Sequence, residues 1–132
     1  MYPKILITLV FILSANLIYS QPDADYKYVT SSVDGDEYFV FIEQVLTNGT
    51  KEFWLKSKKP LKNPDGKKRK DGGETTLMLV RMDCTTREYD NLEVINYDKK
   101  GKVKATARNV SFDNRIVPGS VMTGIYNYVC GK

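Results

Sequence analysis

The chain has 132 residues, no histidine, two cysteines, 20 lysines and arginines against 16 acids, and a formal net charge of +4. The length holds one compact core but not two. The missing histidine removes the usual general base, the usual zinc ligand and every Ser-His-Asp or Cys-His arrangement, so neither catalysis of that kind nor a metal centre or cofactor is expected.

The first twenty residues place Lys4 ahead of an apolar stretch from Ile5 to Leu13, with Ser14, Ala15 and Ser20 following. That is the layout of a secretory signal, with cleavage expected after Ser20. Ser14 and Asn16 interrupt the run well short of the roughly 20 apolar residues a bilayer span requires. The expected organisation is therefore a signal peptide over 1–20 and a single domain over 21–132. Losing Lys4 with the leader lowers the net charge by one, to +3. Destination is the periplasm, the cell surface or the medium, and no transmembrane segment is expected after cleavage. Cys84 and Cys130 both lie in the exported part, where an oxidising compartment favours pairing. The rival, a reactive thiol pair, normally takes a Cys-x-x-Cys spacing that this chain lacks.

Turn signals at Asp34-Gly35, Asn48-Gly49, Asn63-Pro64-Asp65-Gly66, Asp71-Gly72-Gly73 and Asp98 to Gly101 cut the rest into strand-length pieces. Tyr26 to Ser32 and Glu37 to Leu46 are predicted to form a hairpin. In the second of these, Tyr38, Val40 and Ile42 alternate with Phe39 and Phe41, so both faces are apolar and a strand covered on both sides is expected. A third strand is expected from Phe53 to Ser57. Met78, Val80, Met82 and Cys84 share one face of a fourth, which aims Cys84 at the core. Leu92 to Tyr97 and Lys102 to Arg108 form a late hairpin in which Val103, Ala105 and Ala107 are expected to face inward. The period then changes: Ser120 is placed to cap a helix whose Val121, Ile125, Tyr128 and Val129 form its apolar stripe. The fold class is α+β, an antiparallel β-sheet of about five to six strands with a C-terminal helix packed on it and one disulfide.

Positive charge is the most distinctive chemical feature, since Lys56, Lys58, Lys59, Lys62, Lys67, Lys68, Arg69 and Lys70 place eight cations within fifteen residues. Such a segment suits a polyanion: a sulfated glycan, lipopolysaccharide phosphate or an acidic protein face. A solvated, mobile loop is the alternative. Nucleic acid is not expected, because the chain is exported and shows no recognition fold. The late hairpin offers a second surface, with Tyr97 expected opposite Lys102 and Ile95 opposite Lys104. Candidate binding residues are thus Lys67, Lys68, Arg69, Lys70, Tyr97, Lys102 and Lys104. Asp83, Glu88, Asp90 and Glu93 lie close enough in sequence for carboxylate chemistry, but on strands and turns they read as solvated acids.

The run Met82-Asp83-Cys84, Arg87-Glu88-Tyr89, Tyr97-Asp98, Gly101-Lys102-Val103, Ile116-Val117-Pro118-Gly119-Ser120 and Tyr128-Val129-Cys130 resembles the surface-adhesin protein E family of bacterial envelope proteins, and Trp54-Leu55-Lys56 fits the same pattern. The resemblance covers roughly residues 26 to 131. It implies a secreted or surface domain with an antiparallel sheet, a C-terminal helix and a bridge between the two cysteines, and a role in adhesion to extracellular host proteins. Two departures are visible: no tryptophan stands between Lys102 and Pro118, where Phe112 is the nearest aromatic, and Thr123 and Gly124 occupy a helix start where an acid is common. The leading expectation is a non-catalytic binding module for an extracellular-matrix-like or anionic partner. A periplasmic inhibitor or immunity protein, and an exported protein of structural role, are the alternatives; oligomeric state is open.

Overall fold

The computed structural model describes residues 25–46 and 49–131. The expected leader, 1–20, lies outside the described residues. Six strands follow in order: β1 (Lys27–Ser31), β2 (Glu37–Val45), β3 (Thr50–Lys58), β4 (Thr75–Asp83), β5 (Glu88–Tyr97) and β6 (Val103–Arg115), and the chain closes with α1 (Val121–Cys130). They pair antiparallel with their sequence neighbours as one sheet in the order β1-β2-β3-β4-β5-β6. This is the expected α+β fold, and the bridge joins Cys84 to Cys130 across 46 positions.

Register explains the core, because directly opposed residues of an antiparallel pair share a face. Val40 faces Leu55 and Leu55 faces Met78, while Phe53 faces Val80. Onto this face α1 lays Ile125, Tyr126 and Val129, and the cluster is completed by Met82 and Ile116. The helix meets β1 at Gly124, where a β-carbon would stand 3.4 Å from the Thr30 side chain. That is ordinary contact distance, so glycine there costs the helix in propensity without being required by the packing on β1. The helix face differs from the expected one: Tyr126 is buried, and Tyr128 is 44% exposed. With about 100° per residue, Tyr126 and Tyr128 stand about 80° to either side of a stripe centred between Ile125 and Val129, and the helix is turned so that the Tyr126 side meets the sheet. A polar contact reinforces this rotation, since the Tyr126 hydroxyl donates to the Cys84 carbonyl at 2.8 Å. Ser120 does occupy the N-cap position, but its hydroxyl donates to Val117 O at 2.6 Å and caps no helical N–H.

The other face is different. Phe39, Lys56, Leu77 and Ile95 form one row across β2 to β5, and Phe41, Trp54, Leu79 and Glu93 the next. No helix or second sheet overlies these rows among the described residues; the side chains are half-buried by one another, except Lys56, which is buried. The expectation that β2 is covered on both sides is therefore corrected. The Phe39 and Phe41 side is sheltered laterally instead, with Tyr28 against Phe39 and Tyr26 against Phe41, ring centroids 5.8 Å apart in each pair.

The late hairpin is also corrected. Tyr97 faces Val103, Asn96 faces Ala105 and Ile95 faces Thr106, so the expected pairs with Lys102 and Lys104 do not form. The reason is local: the turn closes with Asp98 N–H donating to Lys102 O, and Lys104 is then the extra residue of a bulge. Val103, Ala105 and Ala107, expected inside, are exposed, because α1 packs over the β1 side of the sheet and nothing described overlies β6.

Candidate functional site

Three connections meet at one end of the sheet: 32–36, 59–74 and 98–102. The longest of them carries six of the eight cations of the run. It folds into a miniature hairpin, with Lys62 bridged to Lys68, Asn63 N–H donating to Lys67 O at 2.8 Å, and Arg69 N–H donating to Leu61 O at 2.9 Å. The Asn63-Pro64-Asp65-Gly66 turn at its tip is the one expected, and Asp65 fixes it by accepting from Lys67 N–H. At its base Gly72 is packed so closely that a β-carbon would lie 2.8 Å from Leu61 Cα.

Charge performs two separate jobs here. Arg69, only 12% exposed in its side chain, donates to Asp36 at 2.6 Å and to Asp71 at 3.0 Å, while Lys59 pairs with Asp71 at 3.2 Å. The hydrogen bond from Arg69 holds the Asp71 carboxyl down from its ordinary 3.8 to about 2, with Lys59 adding to the effect. Asp71, chiefly, raises the Arg69 guanidinium in return. This cluster ties the loop to the β1–β2 turn, so Arg69, among the candidate binding residues, is committed to structure. Lys56 is committed too, its ammonium lying 4.6 Å from the Tyr26 ring centroid and 5.3 Å from that of Phe39, on the helix-free face.

The remaining candidates point outward. Lys62, Lys67, Lys68 and Lys70 are exposed and form no ion pair among the described residues. Lys62 and Lys68 stand directly opposite each other, an arrangement that repels unless an anion lies between or above them. The structure then adds cations that the reading of the loop alone does not supply. The Lys99 side chain lies over Gly73, within 3.7 Å of where a β-carbon would be, and Lys104 reaches Glu74 at 3.1 Å. The β5–β6 turn, with Lys99, Lys100 and Lys102, is thereby brought beside the β3–β4 loop. Asp98 shapes that turn by accepting from Lys102 N–H and Lys100 N–H, and these bonds lower its carboxyl below the ordinary value. The two stretches of sequence form one basic end. Tyr97 borders it on the helix-free face, in a row with Thr75 and Lys58.

Two of the four acids weighed for catalysis, Asp83 and Asp90, hold backbone N–H groups. Asp83 accepts from Thr85 N–H at 2.8 Å and Thr86 N–H at 3.1 Å in the β4–β5 turn, and Asp90 accepts from Asp113 N–H at 2.8 Å. Glu88 faces Asp83 across the ladder, and Glu93 faces Arg108.

Compared with known proteins, residues 22–131 match the family model described as surface-adhesin protein E. No curated protein and no solved structure matches.

Proposed function

The chain belongs to the surface-adhesin protein E family, and we propose that its exported domain is a non-catalytic binding module whose basic end captures an anionic extracellular partner. The leader over 1–20 delivers it out of the cytoplasm, and the domain over 21–132 works at the surface or beyond it. What supports this most is the convergence of Lys62, Lys67, Lys68 and Lys70 with Lys99, Lys100 and Lys102 at one end, free of ion pairs among the described residues. A folded platform of cations loses less entropy on binding than a mobile loop would. Sulfated glycan is the simplest anion of the right kind, because its charges repeat along a chain that can cross both segments.

Retention of the mature protein on immobilised heparin tests this. Binding weakens steeply as salt shortens the Debye length from about 10 Å at 0.1 M. Lys62, Lys68 and Lys70 changed to Ala weaken it, and so, separately, do Lys99, Lys100 and Lys102 changed to Ala. Arg69 stays in place in both variants, because its loss would unfasten the loop. Retention indifferent to salt, or unaffected by either triple substitution, would refute the proposal.

A further inference from the structure

An open six-stranded sheet has two edges, and here they are treated differently. β1 is five residues long, shifts register between Tyr28 and Thr30, and lies against α1. Those are the usual ways of blunting an edge. β6 is thirteen residues long, is exposed throughout Val103–Val110, and among the described residues pairs only with β5. Every second N–H and C=O along its outer side therefore faces solvent.

The usable part of this edge is short and well defined. Ala105, Thr106, Ala107 and Arg108 pair without a break to Asn96, Ile95, Val94 and Glu93. Beyond them the strand bends at Asn109 and Asp113, whose φ values of 50° and 53° are left-handed. Ala105, Thr106 and Ala107 are small, so a neighbouring backbone meets no steric bar. Cations flank them: Lys104 on one side, half-exposed and shared with Glu74, and Arg108 on the other. That flanking selects the occupant. A second copy adding antiparallel around Thr106 would set Lys104 opposite Arg108, a like-charge pair that opposes association. An incoming strand with acids four positions apart sets a carboxylate at each.

We propose that the outer edge of β6 accepts, by strand addition, an extended polypeptide segment carrying two acidic residues four positions apart. Main-chain hydrogen bonds to Ala105–Arg108 provide affinity, and Lys104 and Arg108 fix the register. The site is distinct from the cation platform of the β3–β4 loop, so either can fail without the other.

The probe is an acetylated, amidated Thr-Glu-Val-Thr-Val-Glu-Thr peptide, with a control of identical charge N-methylated at alternate residues. Residue-resolved amide exchange on the mature protein is the readout. The plain peptide slows exchange at alternate amides of 105–108, and the methylated peptide does not. Arg108→Glu weakens plain-peptide binding about tenfold, as expected when an attractive cross-strand pair becomes a repulsive one, while heparin retention through the β3–β4 loop persists. Equal action of the two peptides, unchanged exchange, no binding at millimolar peptide, or protection by self-association alone would each overturn the proposal.

Discussion

At the Cys84 end of the sheet, three chain segments are held together by burial, a covalent bridge and backbone-directed hydrogen bonds. At the Gly72 end, three segments are held by a cluster of charges over a tightly packed glycine. The first end joins β4 to α1 through the disulfide, with Tyr126 donating to Cys84 O and Lys51 donating to Val129 O at 2.6 Å. The second relies on Arg69, Asp36, Asp71 and Lys59. Global stability is concentrated where the apolar core and the bridge lie, and exposed chemistry is presented where neither does. Loops that carry binding residues on a rigid scaffold follow this division.

The largest test removes the staple. Cys84→Ala with Cys130→Ala frees a loop spanning 46 positions, and the chain-entropy relation values its closure at about 4 kcal/mol. Urea unfolding followed by the fluorescence of Trp54, the single tryptophan, measures the loss. If the two ends are independent, amides of Arg69 and Gly73 keep their native protection relative to global unfolding in this variant. Their selective loss would break the comparison.

A smaller effect is expected from Gly72→Ala. The added carbon meets Leu61 Cα at 2.8 Å and Pro60 O at 2.9 Å, all backbone, so no side chain can swing aside. Overpacking of this kind costs roughly 1–3 kcal/mol. Exchange should accelerate first at Arg69 N–H and Gly73 N–H, which donate to Leu61 O and Lys59 O, with the disulfide end unaffected. A variant as stable as the parent with native loop exchange would show that the close approach relaxes without cost.

Acid probes the charge cluster without substitution. Asp71 titrates near 2 in the folded chain rather than at 3.8, chiefly because Arg69 hydrogen-bonds its charged form. A depressed carboxyl contributes stability that is complete above the unfolded value and is lost as pH falls through the folded one. The loop should therefore loosen between about pH 4 and pH 2. A carboxyl midpoint for Asp71 near 3.8 by NMR would remove Arg69 from its holding role, and Arg69→Gln should raise the midpoint toward that value.

Much of the sheet was legible in the sequence, because the information is local. The Asp34-Gly35 and Asp98 to Gly101 turns, the alternation of Met78, Val80 and Met82, and the spacing of Ile125 and Val129 each report on neighbours a few positions away. Two things were not legible. Periodicity marks Phe39 and Phe41 as an apolar face but cannot say whether anything lies above it, and here nothing described does. Likewise, a count of cations cannot separate Arg69, turned onto Asp36 and Asp71, from Lys68, turned to solvent; that depends on a β1–β2 turn more than thirty residues away. The joining of Lys99 and Lys100 to the β3–β4 loop is tertiary in the same sense, although two adjacent lysines in a turn were a visible signal.

The smallest expected effect separates the two roles of charge. Lys62 faces Lys68 across the bridge of the miniature hairpin, and among the described residues neither has a carboxylate partner. Lys62→Glu turns a repulsive cross-strand pair into an attractive one, worth some tenths of a kcal/mol up to about 1 kcal/mol, and screening at an exposed site keeps it near the lower figure. The variant should therefore unfold at slightly higher urea while its retention on heparin falls. Stability and capture moving in opposite directions is the expected mark of residues kept for an anion rather than for the fold. If Lys62→Glu lowers stability, the pair is not under strain, and the opposition of like charges ceases to support a binding role for this end.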